Sequence, residues 1–389
     1  EDGVYLIYDL ADLWLFAAKV NGDEPSANAR LMANIDLEKQ HWTPMGTDTK
    51  PYTGTFDGNG KALTGFRTSA TENNTGLFGV VNGGTVKNFS LDGGIIVNTA
   101  DKIHIGSVAG AAKGGAVFSG IESSVAITGN AVVAKHVGGI VGSSQFGSGG
   151  LLLEKCTFNG NISVQRSDDC IGGILGYANY GVTIRDCASA GQVSGKPGAL
   201  HVGGILGYIN SASFGGLTGC YATGKISSGF GIGYIRNCAA NTVYNNCHMA
   251  GTAAYGGERA SLCTASAVTD ADFASGRLTW LLNGAANDGT GTWKQTIGTD
   301  ERPKFEGGTV YRKDKTTYTN NPDECRAFIC AENGVVQVSN VTKPCLLVFT
   351  RYDNGRFYAM ITSKITENCE IPYKDYGLLP ATAERVYKL

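Results

Sequence analysis

The chain has 389 residues, which is enough for two domains or for one elongated repeat structure with an appendage. Its 56 Gly follow no Gly-X-Y period, which excludes collagen, and its 42% of hydrophobic residues is too high for a disordered chain. A formal net charge of -2 gives no electrostatic basis for binding nucleic acid. No apolar run approaches the roughly 18 residues of a transmembrane helix, and we expect any export signal or lipid anchor to lie upstream of Glu1.

The first predicted element is a helix within "YDLADLWLFAAKVN", residues 8–21. Apolar residues recur at helical spacing after an Asp that can cap the helix, and they are Leu10, Leu13, Trp14, Ala17 and Val20. We assign residues 1–30 to an N-terminal capping region, because an open end of a strand repeat exposes unpaired edges that proteins usually cover.

A repeat of about 30 residues follows. The phrases "GLFGVV", "IGSVAG", "VGGIVG", "IGGILG", "VGGILG" and "FGIGY" recur from residue 76 to residue 234. Between them stand second phrases such as "LEKCTFNGNI" and "IRDCASAGQV". Both kinds are too short and too rich in Gly and β-branched residues for helices, so they predict strands that bury their apolar faces only by stacking coil on coil.

The sequence therefore predicts an all-β fold, a right-handed parallel β-helix solenoid over residues 31–312. Aligning the repeats places Gly138, Gly172 and Gly203 at equivalent corners of successive coils. It also places Ile140, Ile174 and Ile205 inside the solenoid.

These phrases resemble a known family. "HVGGIVG", "CIGGILG" and "HVGGILG", each followed by a phrase like "LEKCTFNGNI", look like the GLUG motifs of secreted and surface proteins of Gram-negative bacteria. The upstream "LMANIDLEKQHWTPMGTDTKPYTGTFDGNGKALTGF" and the downstream "FASGRLTWLLNG" and "WKQTIGTDERPKFEGGTVY" are similar to the first and last coils of the same proteins, so the resemblance covers roughly residues 4–312. It implies a parallel β-helix with a surface or adhesin-like role, and it brings no catalytic residues.

An enzymatic alternative rests on "SDDC", which contains Asp168, Asp169 and Cys170 and is similar to the "GDDC" of pectin-hydrolysing β-helix enzymes. Those enzymes also carry Asn-Thr-Asp, Gly-His-Gly and Arg-Ile-Lys motifs, which this chain lacks or replaces. Adjacent residues on a strand point to opposite faces, whereas inverting hydrolysis needs two carboxyl groups facing one water. We therefore predict no catalytic residues, and keep a polysaccharide hydrolase or lyase as the alternative.

Two columns of side chains recur with the repeat. His104, His136, Cys170 and His201 occupy one slot, and a straight column cannot converge on one ion, so we predict a structural stack and neither a metal site nor a cofactor. The second column is a ladder of buried free thiols, predicted at Cys156, Cys187, Cys220, Cys238 and Cys247.

Aromatic residues are the candidate ligand-binding residues. Tyr177, Tyr208 and Tyr234 each follow the Gly that ends a first phrase, and Phe146, Tyr180 and Phe214 fall in adjoining turns. Planar rings along one flank suit the apolar faces of sugar rings, and the same alignment also suits an aromatic ladder that only stabilises the coils.

The C-terminal part of the chain changes in composition. "TDADFASGRLTWLLNG" predicts a capping helix near 269–283 that packs Leu278, Leu281 and Leu282. Residues 313–389 predict a small β-sandwich-like domain with a hairpin about Asn354-Gly355. Its four cysteines, which could form one or two disulfides, are Cys325, Cys330, Cys345 and Cys369.

These features together predict a non-enzymatic, secreted or cell-surface, adhesin-like protein. Its expected partner is an extracellular glycan or a host or bacterial surface protein. A further alternative is a structural spacer that presents the C-terminal domain.

Overall fold

The computed structural model describes residues 3–69, 73–96, 104–129, 135–145, 149–164, 170–211, 213–286, 288–313 and 316–322, together with the C-terminal strands between 328 and 388. The chain divides into two compact units, Glu1–Val268 and Thr269–Leu389. The first unit is a parallel β-solenoid with a repeat of about 31 residues, as the sequence predicts.

The first unit holds thirty strands and one α-helix among the residues described. The helix is α1, Leu10–Asn21. The strands in chain order are β1 Val4–Ile7, β2 Asn28–Leu31, β3 Ile35–Asp36, β4 Thr55–Ser69, β5 Asn74–Thr75, β6 Phe78–Asn82, β7 Thr85–Ile96, β8 His104–Gly106, β9 Ala109–Lys113, β10 Val117–Ser123, β11 Ala126–Gly129, β12 His136–Gly138, β13 Val141–Ser144, β14 Leu151–Glu154, β15 Thr157–Phe158, β16 Ile162–Val164, β17 Cys170–Gly172, β18 Leu175–Ala178, β19 Val182–Arg185, β20 Ala188–Ser189, β21 Val193–Ser194, β22 Val202–Gly203, β23 Leu206–Asn210, β24 Gly216–Thr218, β25 Tyr221–Ala222, β26 Gly233–Asn237, β27 Val243–Tyr244, β28 Asn246–Met249, β29 Tyr255–Gly256 and β30 Ala265–Val268.

These strands form three walls of parallel sheet. The first wall contains β5, β8, β12, β17 and β22, and the second contains β6, β9, β13, β18, β23, β26 and β29. The other strands of the first unit form the third wall, an 18-stranded sheet. The register confirms the alignment of the repeats, because Gly138 pairs with Gly172 and Gly172 pairs with Gly203.

Helix α1 forms where its apolar spacing predicts it. The backbone N–H of Asp12 donates to Asp9 Oδ1 at 2.9 Å, which caps the helix, and Leu13, Phe16 and Val20 are buried. Strand β1 precedes the helix and pairs with β2 in parallel. The helix is therefore inserted within a first coil that begins at residue 4, and is not separate from the repeat.

The core lies between the three walls. Ile140, Ile174 and Ile205 have no exposed surface, and Ile140 N–H donates to Ile174 O while Ile174 N–H donates to Ile205 O. The predicted inward stack of isoleucines is confirmed. Burying each such side chain is worth roughly 1.5 to 3 kcal/mol.

The last glycine of each first phrase is required by contact between the first two walls. A Cβ atom on Gly176 would lie 2.6 Å from the backbone nitrogen of Val137, and a Cβ atom on Gly207 would lie 2.5 Å from that of Ile171. The two walls therefore meet backbone to backbone, and only Gly fits between them.

A column of left-handed residues turns each coil within the third wall. In six consecutive coils, a residue with φ between 51° and 63° lies between two strand segments of this wall. These residues are Asn88, Gly120, Lys155, Asp186, Gly219 and Asn245. Gly, Asn and Asp tolerate this conformation well, so the column explains most of the residue types found there.

The predicted thiol ladder is confirmed at its first three members. Cys156, Cys187 and Cys220 have no exposed surface, all three are free thiols, and Cys187 N–H donates to Cys220 Sγ at 3.4 Å. Burial raises the pKa of Cys156 and of Cys187 well above the usual range of a thiol. Cys156 and Cys187 therefore stay protonated, and all three buried residues pack as small apolar side chains.

Cys238 and Cys247 are buried free thiols as predicted, but their predicted place in the ladder is wrong. The next rung after Cys220 is Asn246, whose Oδ1 accepts a hydrogen bond from Cys220 N–H at 3.0 Å, because Cys247 pairs with Tyr221 instead. Cys238 follows β26, which belongs to the second wall, so the phrase "IRNC" does not occupy the third-wall position that its letters suggest.

The second unit begins with two short helices, α2 Asp270–Ala274 and α3 Arg277–Leu282. The sequence predicts one helix here, but Gly276 adopts a left-handed φ of 84° and divides it. Leu278 and Leu282 are buried, whereas Leu281 is only half-buried. The prediction that this helix covers the end of the solenoid stays a prediction.

The boundary between the units lies at residue 268, whereas the sequence places it at 312. Helices α2 and α3 belong with the segment that follows them. Thr279 Oγ1 donates to Gln295 Oε1 at 2.7 Å, and Asn283 Nδ2 donates to the backbone oxygen of Trp293 at 2.8 Å. These bonds tie residues 269–295 into one unit.

The remaining strands of the second unit are antiparallel. They are β31 Tyr311–Arg312, β32 Tyr318–Thr319, β33 Phe328–Glu332, β34 Val335–Ser339, β35 Cys345–Asp353, β36 Arg356–Ile365, β37 Cys369–Pro372 and β38 Arg385–Lys388. Strands β35 and β36 pair as the predicted hairpin. Cys325, the turn residues Asn354 and Gly355, and the side chains of the other C-terminal cysteines lie outside the described residues.

Candidate functional site

The predicted tyrosines lie in one column of the second wall. Tyr177 pairs with Tyr208, and Tyr208 pairs with Tyr234 across a β-bulge. The ring centroids are 5.7 Å apart for the first pair, at an interplanar angle of 8°, and 5.6 Å apart for the second, at 27°. The rings therefore stack on one another along the solenoid, and the two faces of the Tyr208 ring are turned toward its neighbours.

Histidines of the first wall extend this stack. The ring of His136 stacks on Tyr177 at 4.3 Å and 11°, and His104 stacks on His136 at 4.9 Å and 23°. His201 packs its ring 4.4 Å from that of Tyr208. We call this set the aromatic row: His104, His136, Tyr177, His201, Tyr208 and Tyr234.

Two walls supply the aromatic row because the chain reverses at each corner glycine. The start of a first-wall strand therefore lies beside the end of the second-wall strand of the next coil, as His136 of β12 lies on Tyr177 of β18. The sequence predicts a histidine column and a tyrosine column separately. It does not show that they meet, because His136 and Tyr177 are separated by more than one coil.

The two stacked histidines are neutral. His104 Nδ1 and His136 Nδ1 are 2.9 Å apart, so one ring donates a hydrogen bond to the other. Burial lowers the pKa of His104 to about 4 and that of His136 to about 3. Asp48 raises the pKa of His104 by a smaller amount, and Lys135 lowers both. The stack therefore carries no charge at neutral pH.

Polar groups border the tyrosine hydroxyls. Arg236 donates to Tyr208 Oη at 3.2 Å and forms an ion pair with Glu258 at 3.5 Å. Tyr177 Oη donates to Asn179 Oδ1 at 3.4 Å, and burial raises the pKa of Tyr177. The Tyr177 phenol therefore stays protonated. The hydroxyl edges of Tyr208 and Tyr177 meet a guanidinium group and an amide, respectively.

The candidate ligand-binding residues differ in exposure. Tyr177 and Tyr234 are half-buried, Tyr208 is 9% exposed, and Tyr180 is 40% exposed. Phe214 is 4% exposed and belongs to the hydrophobic core, so it is not available to an external ligand. The turn before β24 directs the Phe214 ring into the core. Phe146 lies outside the described residues.

A polar recess that the sequence does not predict lies on the third wall. It has a volume of about 570 Å³, and Arg30, Asp57, Asn88 and Glu122 are among the residues that line it. Arg30 and Lys87 approach Asp57 at 3.7 and 3.8 Å, so its negative charge is compensated. The segment "FDGNG", residues 56–60, by itself indicates only a tight turn. It lines a recess only together with residues of the next two coils.

The Glu154 carboxylate of the third wall is held as an anion. Arg185 donates to Glu154, and this contact lowers the pKa of Glu154 against the opposing effect of burial. Asp168 and Asp169 lie outside the described residues. Within the described ranges, no group of three or more His, Cys, Asp or Glu side chains is placed to hold a metal ion.

Comparisons with known proteins give limited information. No family model matches the chain, and no curated protein matches it. A crystal structure of a Bacteroides ovatus protein that has been proposed to be an immunoglobulin A1 protease is similar with a TM-score of 0.46 and 19% identity, over 78% of this chain and 92% of that one. This likeness is too weak to indicate a function. The resemblance to GLUG-motif proteins stays a prediction.

No helix among the residues described here is long and apolar enough to span a membrane.

Proposed function

We propose that this chain is a non-enzymatic, adhesin-like binding protein, either secreted or attached to the cell surface. Its ligand is an extracellular glycan or a surface protein. The observation that carries the proposal is the aromatic row, which runs along the solenoid coil by coil. Arg236 and Asn179 hydrogen-bond to the hydroxyl groups of its tyrosines. A strip that repeats at each coil suits an extended ligand better than a small molecule.

The geometry favours contact through ring edges and polar groups. Because Tyr208 has rings stacked on both sides, its faces are not open to a sugar ring. Exposed Tyr180 lies in the turn that follows β18, and Arg236 has a side chain that is 52% exposed. A phenol ring, a guanidinium group and amides together provide an apolar surface and hydrogen-bond donors, which both sugars and peptides use.

Two carboxyl groups of the described residues are unsuited to acid catalysis. A general acid for glycoside hydrolysis needs a raised pKa so that it holds a proton near neutral pH. Glu154 and Asp272 have lowered pKa values, and each forms an ion pair with an arginine. These two carboxyl groups are therefore poor proton donors.

A spacer role is the second candidate, and the stacking of the tyrosines favours it. Rings that cover each other contribute to stability without any ligand. In this case the aromatic row only stiffens the solenoid that carries the second unit.

A glycan array screened with three proteins tests the proposal. We expect the wild type to bind an extended glycan, and Tyr180→Ala to weaken binding about fivefold, since an aromatic contact is worth about 1 kcal/mol. Tyr244→Ala is the matched control, because Tyr244 is 44% exposed and lies on the third wall. Its binding should equal that of the wild type.

Binding that Tyr180→Ala and Tyr244→Ala reduce equally would contradict the assignment to this flank. Absence of binding to every glycan and to extracellular matrix proteins would leave the spacer role. Release of reducing or unsaturated sugars from pectic or host glycans by the purified chain would overturn the non-enzymatic proposal in favour of a polysaccharide hydrolase or lyase.

A further inference from the structure

Two cysteines from different segments meet near the end of the first unit. Cys238 directly follows β26, and Cys263 directly follows a short 3₁₀ helix, Ala260–Leu262. Arg259 N–H donates to the backbone oxygen of Ile235 at 3.1 Å. Gly257 lies so close to the same strand that a Cβ atom there would be 2.3 Å from Ile235 O. The two segments are therefore held side by side by their backbones.

The two thiols are neighbours and differ in exposure. Cys263 Sγ donates to Arg259 O at 3.4 Å, and Cys263 packs against the hydrophobic core that includes Cys238. Burial and, to a smaller extent, the nearby Cys238 thiol raise the pKa of Cys263. Cys238 is 5% exposed and packs in the core, whereas Cys263 is only half-buried. Both are free thiols. One member of the pair is open to reagents in solution, and the other is protected behind it.

The thiol ladder of the third wall has a different arrangement. Cys156, Cys187 and Cys220 also neighbour one another, but each has no exposed surface. A disulfide oxidant must reach a sulfur atom to react with it, so the ladder is protected in the folded protein. Among the described cysteines, only the pair at the end of the unit combines neighbouring thiols with access.

We propose that Cys238 and Cys263 form an intramolecular disulfide when the folded chain meets a small-molecule disulfide such as oxidised glutathione. The Cys263 thiol loses its proton to solvent, and its thiolate attacks one sulfur of the oxidant. An S–S bond to Cys263 forms as the oxidant's S–S bond breaks and releases one reduced thiol. The thiolate of Cys238 then attacks the sulfur of Cys263 and displaces the second reduced thiol. The two protein thiols are oxidised by two electrons, and the oxidant is reduced to two thiols.

This bond closes a loop that contains β27, β28 and β29. Such a cross-link removes conformations from the unfolded chain and so stabilises the coils that it encloses. It fastens the end of the solenoid where strand pairing stops, which is where local unfolding begins most easily.

Peptide mapping of the full chain tests the proposal. The chain is incubated with oxidised glutathione at pH 8.5, its free thiols are alkylated, and it is digested with trypsin. We expect peptides 237–259 and 260–277 to become cross-linked, with a loss of about 2 mass units relative to the reduced pair. The reaction should speed up as the pH is raised, because burial raises the pKa of Cys263 to about 12 and little thiolate is present at neutral pH.

Three variants complete the experiment. Cys238→Ser and Cys263→Ser should each abolish the cross-linked peptide. Cys247→Ala is the control, because Cys247 shares a tryptic peptide with Cys238 but is 1% exposed and pairs with Tyr221. This variant should keep the cross-link. The oxidised wild type should also melt several degrees higher than the reduced protein, and a reductant should reverse the shift.

Two results would overturn the proposal. One is a stable glutathione adduct on Cys263 that Cys238 never resolves. The other is full alkylation of both thiols after prolonged oxidation. Neither result affects the proposal of ligand binding, which rests on the aromatic row and on Tyr180 and has its own assay.

Discussion

Replacing Tyr208 with Ala tests whether the aromatic row stabilises the solenoid. Tyr208 is 9% exposed, and its ring stacks between Tyr177 and Tyr234. An aromatic side chain buries roughly 200 Å², which at roughly 25 cal/mol per Å² gives an upper bound of about 5 kcal/mol. Measured costs of removing buried aromatic rings are about 3 to 5 kcal/mol. We expect Tyr208→Ala to lower the free energy of unfolding by about 3 kcal/mol, because the row lies at the outer flank.

Tyr208→Phe separates the ring from its hydroxyl group. It keeps both stacking contacts and removes only the hydrogen bond from Arg236, whose side chain is 52% exposed. This bond is worth about 0.5 kcal/mol. Urea unfolding followed by far-ultraviolet circular dichroism gives the shift in midpoint for each variant. A cost below about 1 kcal/mol for Tyr208→Ala, or equal costs for the two variants, would refute the stabilising role of the stacked ring.

Two further predictions follow from the walls and the histidines. Gly176→Ala should destabilise the first unit by about 2 kcal/mol or more, since its Cβ atom would lie 2.6 Å from Val137 N. Gly94→Ala is the control and should be nearly neutral, because the nearest atom to its Cβ would be 3.7 Å away. Similar urea midpoints for the two variants would contradict the backbone packing of the walls. The free energy of unfolding should fall as the pH falls from 6.5 toward 4, because His104 and His136 have folded pKa values of about 4 and about 3, so the unfolded chain binds more protons in this range. The free energy of unfolding should change by at most about 1.4 kcal/mol per pH unit for each histidine. A variant with both His104 and His136 replaced by Gln that keeps the full pH dependence would show that other groups cause it.

The repeat made the register predictable, because glycines at a fixed spacing mark the corners where the walls meet. Gly138, Gly172 and Gly203 occupy equivalent corners for this reason. Prediction failed where the last coil shortens and a β-bulge shifts the pairing between Leu206 and Tyr208. There "IRNC" moves to another wall, because hydrogen bonding to the preceding strand decides the register and the letters of a phrase do not.

The aromatic row was only partly predictable for a related reason. The alignment shows that the tyrosines share a column, but it does not show whether their rings face each other or the solvent. That orientation depends on packing against His136 and His201, which come from a different wall. Phe214 shows the same limit, because a turn residue can fold inward when the core has space for it.

The direction of the hydrogen bonds determines how the solenoid responds to force. Each strand of the first unit that pairs with its neighbours does so in parallel with the coil before and the coil after it, so the backbone bonds run along the long axis. A tensile load along that axis pulls directly on the bonds between two coils, and all three walls share the load at once. A sideways pull on one strand instead opens its bonds one after another. A solenoid built this way resists stretching along its axis better than peeling from one edge.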